Sequence, residues 1–196
     1  MGSKGLLAVL IIIPIILVIA YISISNHLVT LDENVNEKWA QVENVYQRRA
    51  DLIPNLVETV KGYASHERET LNEVIQARSM AQKASGTGQA LTTDAGAFGQ
   101  LQQTQAALSS ALSRLLVVVE RYPDLKANQN FLTLQSQLEG TENRITVERK
   151  RYNEAARKFN TTIRKFPYKF FAAGYKKREY FKADAGAEKA PKVSFK

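Results

Sequence analysis

From Leu28 onward, a seam returns almost throughout at steps of three and four: Leu28, Leu31, Val35, Trp39, Val42, Val45/Tyr46, Arg49, Leu52/Ile53, Leu56, Val60, Tyr63/Ala64, Leu71 and Val74. That spacing keeps returning to one face of an α-helix, whereas a half-buried strand alternates at every second residue. The seam is not purely apolar. Its middle, residues 37–67 (EKWAQVENVYQRRADLIPNLVETVKGYASHE), carries Arg48, Arg49, Asp51 and Pro54. Proline lacks the amide N–H and crowds the preceding turn, so a bend is expected at Pro54. Gly62 is a further weak point. The spacing predicts one helix over 27–84, ending before Ser85-Gly86-Thr87-Gly88, the clearest loop signal in the chain.

Two more seams follow. Phe98, Leu101, Gln105, Leu108, Ala111/Leu112, Leu115, Val118/Val119 and Tyr122 predict a helix over 94–122, with Thr92, Thr93 and Asp94 as candidate N-caps and Tyr122-Pro123 as its stop. Phe131, Leu134, Leu138, Thr141, Ile145, Tyr152, Ala155, Phe159 and Ile163 predict a third helix over 125–166, stopped by Phe166-Pro167. Three long amphipathic helices with short connections make an elongated antiparallel bundle over 25–166. With three passes, the first leading away from the starting end, the C-terminus is expected at the far end of the bundle.

Ahead of the bundle, residues 6–22 (LLAVLIIIPIILVIAYI) form an unbroken apolar run. It is near the ~20 residues a spanning helix needs, longer than the usual ~7–15 residues of a signal-peptide core, and without a clear small-x-small cleavage site. The expectation is a retained single-pass anchor over 5–24 behind a short flank, 1–4, with the lipid bilayer as its partner. Lys4 and the amino terminus favour the N-terminus inside and the bulk of the chain extracytoplasmic.

Charge singles out the other end. Of the net +8, residues 164–196 hold +7, from ten Lys/Arg and three Asp/Glu. Seven of the chain's seventeen aromatics fall within 166–181. The stretch 167–183 is too short for another core helix and reads as a hook, followed by a polar tail, 184–196, without apolar periodicity. Tyr168, Phe170, Phe171, Tyr175, Lys176, Lys177, Arg178, Tyr180 and Phe181 are its candidate contact residues. Three readings stand: packing against this chain or a second copy, contact with an anionic bilayer, and stacking on single-stranded nucleic acid. Packing is the favoured one. Nucleic acid is set aside, because the charge is confined to one short segment of an anchored chain.

Chemistry is sparse. The chain has no cysteine and two histidines. His66-Glu67-Arg68-Glu69-Thr70 begins like a HExxH zinc helix, but Thr70 stands where the second ligand belongs. No nucleophile–base pair, phosphate loop, metal set or cofactor motif is found, so no catalytic or metal residues are assigned. Arg48, Arg49, Asp51, Glu120, Glu142, Asn143 and Arg144 lie on or beside apolar seams. A buried charge must be partnered. These residues are therefore expected to form an interhelical polar network that fixes register, with a ligand pocket as the rival reading.

The stretches RRADLIPNLVETVKGYASHE (48–67), RLLVVVERYPDLKAN (114–128), TENRI (141–145), Tyr152-Asn153 and Phe166-Pro167 together resemble the LemA family over residues 25–182. The resemblance implies a bacterial inner-membrane protein with an N-terminal anchor and a helical-bundle domain. It brings no catalytic residues. The fold expected is thus all-α: a transmembrane helix, an elongated antiparallel bundle of three long helices and a short C-terminal hook. The function expected is a non-enzymatic envelope scaffold that self-associates as a homo-oligomer or binds other envelope proteins. A membrane-surface or membrane-shaping role through the hook, and a receptor or hydrolase built on the central polar cluster, are the alternatives.

Overall fold

The computed structural model describes residues 3–86 and 88–182; the expected tail over 184–196 lies outside them. Within that range the chain is all-helical and forms an antiparallel bundle. Its elements are α1 (Ser3–Tyr63), α2 (Arg68–Ser85), α3 (Ala95–Val119), the single turn α4 (Pro123–Lys126) and α5 (Gln129–Thr162). Short 3-10 turns stand at Gly88–Thr93 and Tyr168–Phe170.

The structure differs from the expected layout in one respect with large consequences. The helix expected over 27–84 is two helices, α1 and α2, folded into a hairpin at 64–67. The chain reverses tightly there: the Ala64 amide still donates to Val60 O (2.8 Å), and the Glu67 amide donates to Ala64 O (3.1 Å). Ala64 is fully buried at the reversal, small enough to sit between the two arms. Both arms turn their apolar face inward, so Leu71 follows Ala64 by seven residues, in the phase of an uninterrupted helix with one seam position skipped. GYASHE holds neither a proline nor an Asn-Gly pair to mark the break.

Cross-helix pairs fix the directions. Arg78 Nε of α2 donates to Ala50 O of α1 (2.6 Å), and Arg114 of α3 meets Glu73 of α2 (3.0 Å). Arg49 of α1 meets Glu142 of α5 (2.5 Å), while at the far end Asn128 donates to Tyr63 Oη (2.8 Å). The main chain therefore runs out, back, out and back. Four passes return the C-terminus to the end at which α1 leaves the apolar run, not to the far end.

Local chemistry explains several details. α1 runs through Pro54 without interruption. Proline leaves the carbonyl four residues earlier, that of Ala50, without its helical donor, and Arg78 supplies one from α2. The helix breaker thus doubles as an attachment point for the hairpin. Asp94 caps α3, its side chain accepting from the amides of Gly96 (2.8 Å) and Ala97 (3.0 Å). Asn128 caps α5 in the same way through Asn130 (2.9 Å) and Phe131 (3.1 Å).

The core has two parts. The distal cluster is aliphatic, with Ile53, Leu56, Val60, Val74, Leu108, Leu112, Leu115 and Leu138, plus the ring of Phe131. The proximal cluster is aromatic, built on Trp39, Tyr46, Phe98, Tyr152, Phe159 and Phe181. Beyond Leu28 toward the N-terminus, the large apolar side chains of α1 from Leu10 to Ile22 are exposed. That stretch belongs to a helix long and apolar enough to cross a membrane.

Candidate functional site

A buried polar layer forms around Arg49. Arg49 is 1 % exposed. Its guanidinium donates to Ser109 Oγ (2.9 Å) and to the side-chain carbonyl of Gln105, both on α3, and forms an ion pair with Glu142 of α5 (2.5 Å). Gln105 passes the chain on to Ser85 Oγ at the end of α2 (3.2 Å). All four long helices therefore meet in one polar layer. Arg49, Gln105 and Glu142 each fall between a proximal and a distal core residue of their own helix: Tyr46 and Ile53, Leu101 and Leu108, Leu138 and Ile145. The layer divides the aromatic core from the aliphatic one. Tyr46 flanks it, with the Arg49 guanidinium 5.7 Å from its ring centroid and Arg149 Nε donating to its hydroxyl (2.9 Å). Burial raises the Tyr46 phenol above its ordinary value, against the opposing pull of Arg149.

The other residues expected in this network point elsewhere. Arg48, Asp51, Glu120, Asn143 and Arg144 are exposed. Asp51 accepts from Gln47 on its own helix (2.7 Å), and Glu120 pairs with Lys126 near the α3–α4 turn. Asn143 lines a groove of about 420 Å³ between α3 and α5, with Leu56, Leu112, Leu116, Leu138 and Glu142. Gln105 reads as a seam position but not as a member of the network, and Ser109 is not singled out by the sequence. Gln105 stands at a seam position, where a polar residue on an apolar face is itself a signal of a buried partner.

The hook splits into two parts with different surroundings. Its second half is built into the bundle. Phe181 packs against Phe98 (4.9 Å), Tyr152 (5.5 Å) and Trp39 (6.1 Å). Arg178 is buried, pairing with Asp32 of α1 (2.7 Å) and donating to Thr92 Oγ1 (2.5 Å). Asn160 clamps the Arg178 backbone from both sides and donates to Tyr180 Oη, while Asn153 clamps the Phe181 backbone in the same way. Tyr152 Oη donates to Glu179 O (3.0 Å), and burial pushes that phenol well above its ordinary range. Tyr175 packs edge-on against Phe159 (5.7 Å). Lys176 and Lys177 remain exposed.

The first half lies open. Phe166 is 77 % exposed, Phe170 67 % and Phe171 37 %. Phe171 meets Tyr21 at 5.7 Å, and Tyr168 meets His27 at 5.4 Å. These contacts place the turn at the end of the apolar run, opposite to the distal position expected from three passes.

The chain is similar to known proteins over most of its length. Magnetosome protein MamQ 2 of Paramagnetospirillum magneticum is 29 % identical over 91 % of this chain and 74 % of its own length. Magnetosome protein MamQ of Magnetospirillum gryphiswaldense is 28 % identical with the same coverage. Protein LemA of Metamycoplasma hominis is 25 % identical over 74 % of this chain and 62 % of its own length. The sequence model of the LemA family matches residues 38–195, the larger part of the bundle and hook, and the chain belongs to that family.

Proposed function

We propose that this protein is a membrane-anchored helical scaffold of the bacterial cytoplasmic membrane, with the N-terminus inside and the bundle extracytoplasmic. The observation that supports it most is the continuity of α1, which runs unbroken from the exposed apolar stretch into the core of the bundle. Sixty-one residues at 1.5 Å each make a rod of about 90 Å. A rigid rod held in a plane raises the effective concentration of its surface for lateral partners, the physical requirement of a scaffold. Self-association is the second part of the proposal. The groove between α3 and α5 offers an apolar face for a second copy, and Val117, next in sequence to the lining residue Leu116, is 70 % exposed. In the rival reading the same groove takes a small ligand beside Glu142 and Asn143.

Size measurement and particle imaging of the detergent-solubilised full chain test the scaffold. A defined oligomer, lost on Val117→Glu while the helical spectrum is kept, is the expected outcome; a monodisperse monomer contradicts it. A reporter fused to the C-terminus tests orientation and should be active only outside the cytoplasm.

A further inference from the structure

The open half of the hook is arranged as a platform. Arg164, Lys165 and Lys169 lie in the same short stretch as Phe166, Tyr168, Phe170 and Phe171, and no acidic residue occurs between 164 and 177. The stretch is held by its own backbone: the Lys169 amide donates to Lys165 O (2.9 Å), that of Phe170 to Pro167 O (3.2 Å) and that of Phe171 to Tyr168 O (2.9 Å). The rings are therefore presented, not collapsed. Phe166 and Phe170 stand edge to face at 6.0 Å, and Lys169 Nζ lies 5.0 Å from the Phe170 centroid. Exposed aromatic rings grouped in this way call for a partner surface.

Its position says which. Tyr21, which Phe171 touches, stands in the last turn of the apolar stretch, the level where aromatic side chains gather at the headgroups. The nearest carboxylate along α1 beyond it, Asp32, is eleven residues on, about 16 Å, and is already neutralised by Arg178. The surface facing the bilayer is thus aromatic and cationic without a competing anion on α1 at that level.

We propose that residues 164–171 form a collar that seats in the headgroup layer of the same bilayer that α1 crosses, with anionic phospholipid as its partner. The aromatic rings enter the interface and Arg164, Lys165 and Lys169 lie among the phosphates, where polybasic segments with apolar residues bind. One helix through a membrane leaves the tilt of a rod free. A second contact point fixed to the last helix of the bundle sets it. This inference rests on α1 being a membrane span.

The chain has no cysteine, so single probes are unambiguous. The full chain carrying Phe170→Cys with an environment-sensitive dye, and separately Gln129→Cys at the distal end, is reconstituted into phosphatidylcholine vesicles with or without phosphatidylglycerol. Lipids spin-labelled near the headgroup serve as quenchers. Strong quenching at position 170 and none at 129 is expected. It should be greater with phosphatidylglycerol, weaken with salt because the Debye length shrinks to about 3 Å at 1 M, and be lost in Lys165→Glu/Lys169→Glu with helicity kept. A probe at 170 as accessible to water as that at 129 overturns the collar. Equal quenching in both lipids overturns the anionic assignment. Disulfide formation between two copies of the unlabelled Phe170→Cys chain, with quenching absent, means that a second copy covers the patch and also overturns it. Failure of the chain to float with vesicles overturns the anchor instead, and is read independently of the probe.

Discussion

The two halves of the bundle share α1, α3 and α5 but are held by different means, and α2 gives its buried side chains to the distal half alone. The distal half is closed by aliphatic side chains at seam positions, supplied by the helices and by Ala64 in the reversal between two of them. The proximal half is closed by rings, and one of them, Phe181, comes from an extended segment that returns after the last helix has ended. Arg49 and its partners mark the boundary. The contrast shows how one chain makes a self-sufficient far end and a near end that is complete only when its C-terminal strap is in place. The strap ties α1, α3 and α5 together where the bundle meets the apolar stretch.

Removing the strap should have the largest effect. Phe181→Ala empties a site among three aromatic rings and is expected to lower stability by about 3–5 kcal/mol, the usual cost of a buried Phe→Ala change. Hydrogen exchange should show protection lost in residues 31–46 and 145–159 while 53–60 and 108–115 hold. Uniform loss across both halves would contradict their independence.

Breaking the boundary comes next. Arg49→Ala strands Gln105, Ser109 and Glu142, and is expected to cost about 2–3 kcal/mol, below the range for fully buried pairs because Glu142 keeps 40 % exposure. Arg49→Met fills the same space without a charge and should cost less. Thermal unfolding that splits into two transitions in Arg49→Ala would show the layer coupling the halves; one sharp transition at an unchanged temperature would show that it does not.

A smaller effect isolates the hairpin. Arg78→Ala leaves the Ala50 carbonyl without a donor, an expected loss of about 1 kcal/mol. Pro54→Ala restores the helical N–H, so in that background Arg78→Ala should cost less, as a double-mutant cycle in chemical denaturation would measure. The smallest effect is one of pH. Burial raises the phenols of Tyr46 and Tyr152, so both stay protonated in the fold when the unfolded chain ionises. Their contribution is complete below about pH 10 and is lost as pH rises beyond it. Tyr122 at the distal end is raised chiefly by its hydrogen bond to Glu67. Alkaline loss of protection should therefore be steeper in the proximal half, and Tyr152→Phe should flatten it.

Periodicity was enough to read the all-α class and the seams of α3 and α5, while the family was legible only through resemblance of stretches such as 48–67, 114–128 and 141–145. Periodicity was also what hid the hairpin. A tight reversal between two arms that bury the same face keeps the helical phase, and one Ser between Ala64 and His66 is a weak turn signal. The missed turn reversed the predicted place of the C-terminus, and with it the surroundings of the whole hook. Arg49 was legible as a charge on a seam, but its neighbours Arg48 and Asp51 were not separable from it, because one helical position decides between core and solvent. Asp32, Thr92 and Asn160, which hold the strap, sit on separate elements. Only the fold brings them together with Arg178.

Four passes return the C-terminal hook to the end of the bundle from which the apolar stretch emerges, and crosslinking of paired cysteines in the full chain checks that return. His27→Cys/Tyr168→Cys, whose native rings lie 5.4 Å apart, should crosslink within one chain with the shortest reagents. Tyr63→Cys/Tyr168→Cys should not, since the two positions lie at opposite ends of helices about 50 Å long. Crosslinking of the second pair, with the first unreactive, would contradict the hairpin and everything built on it.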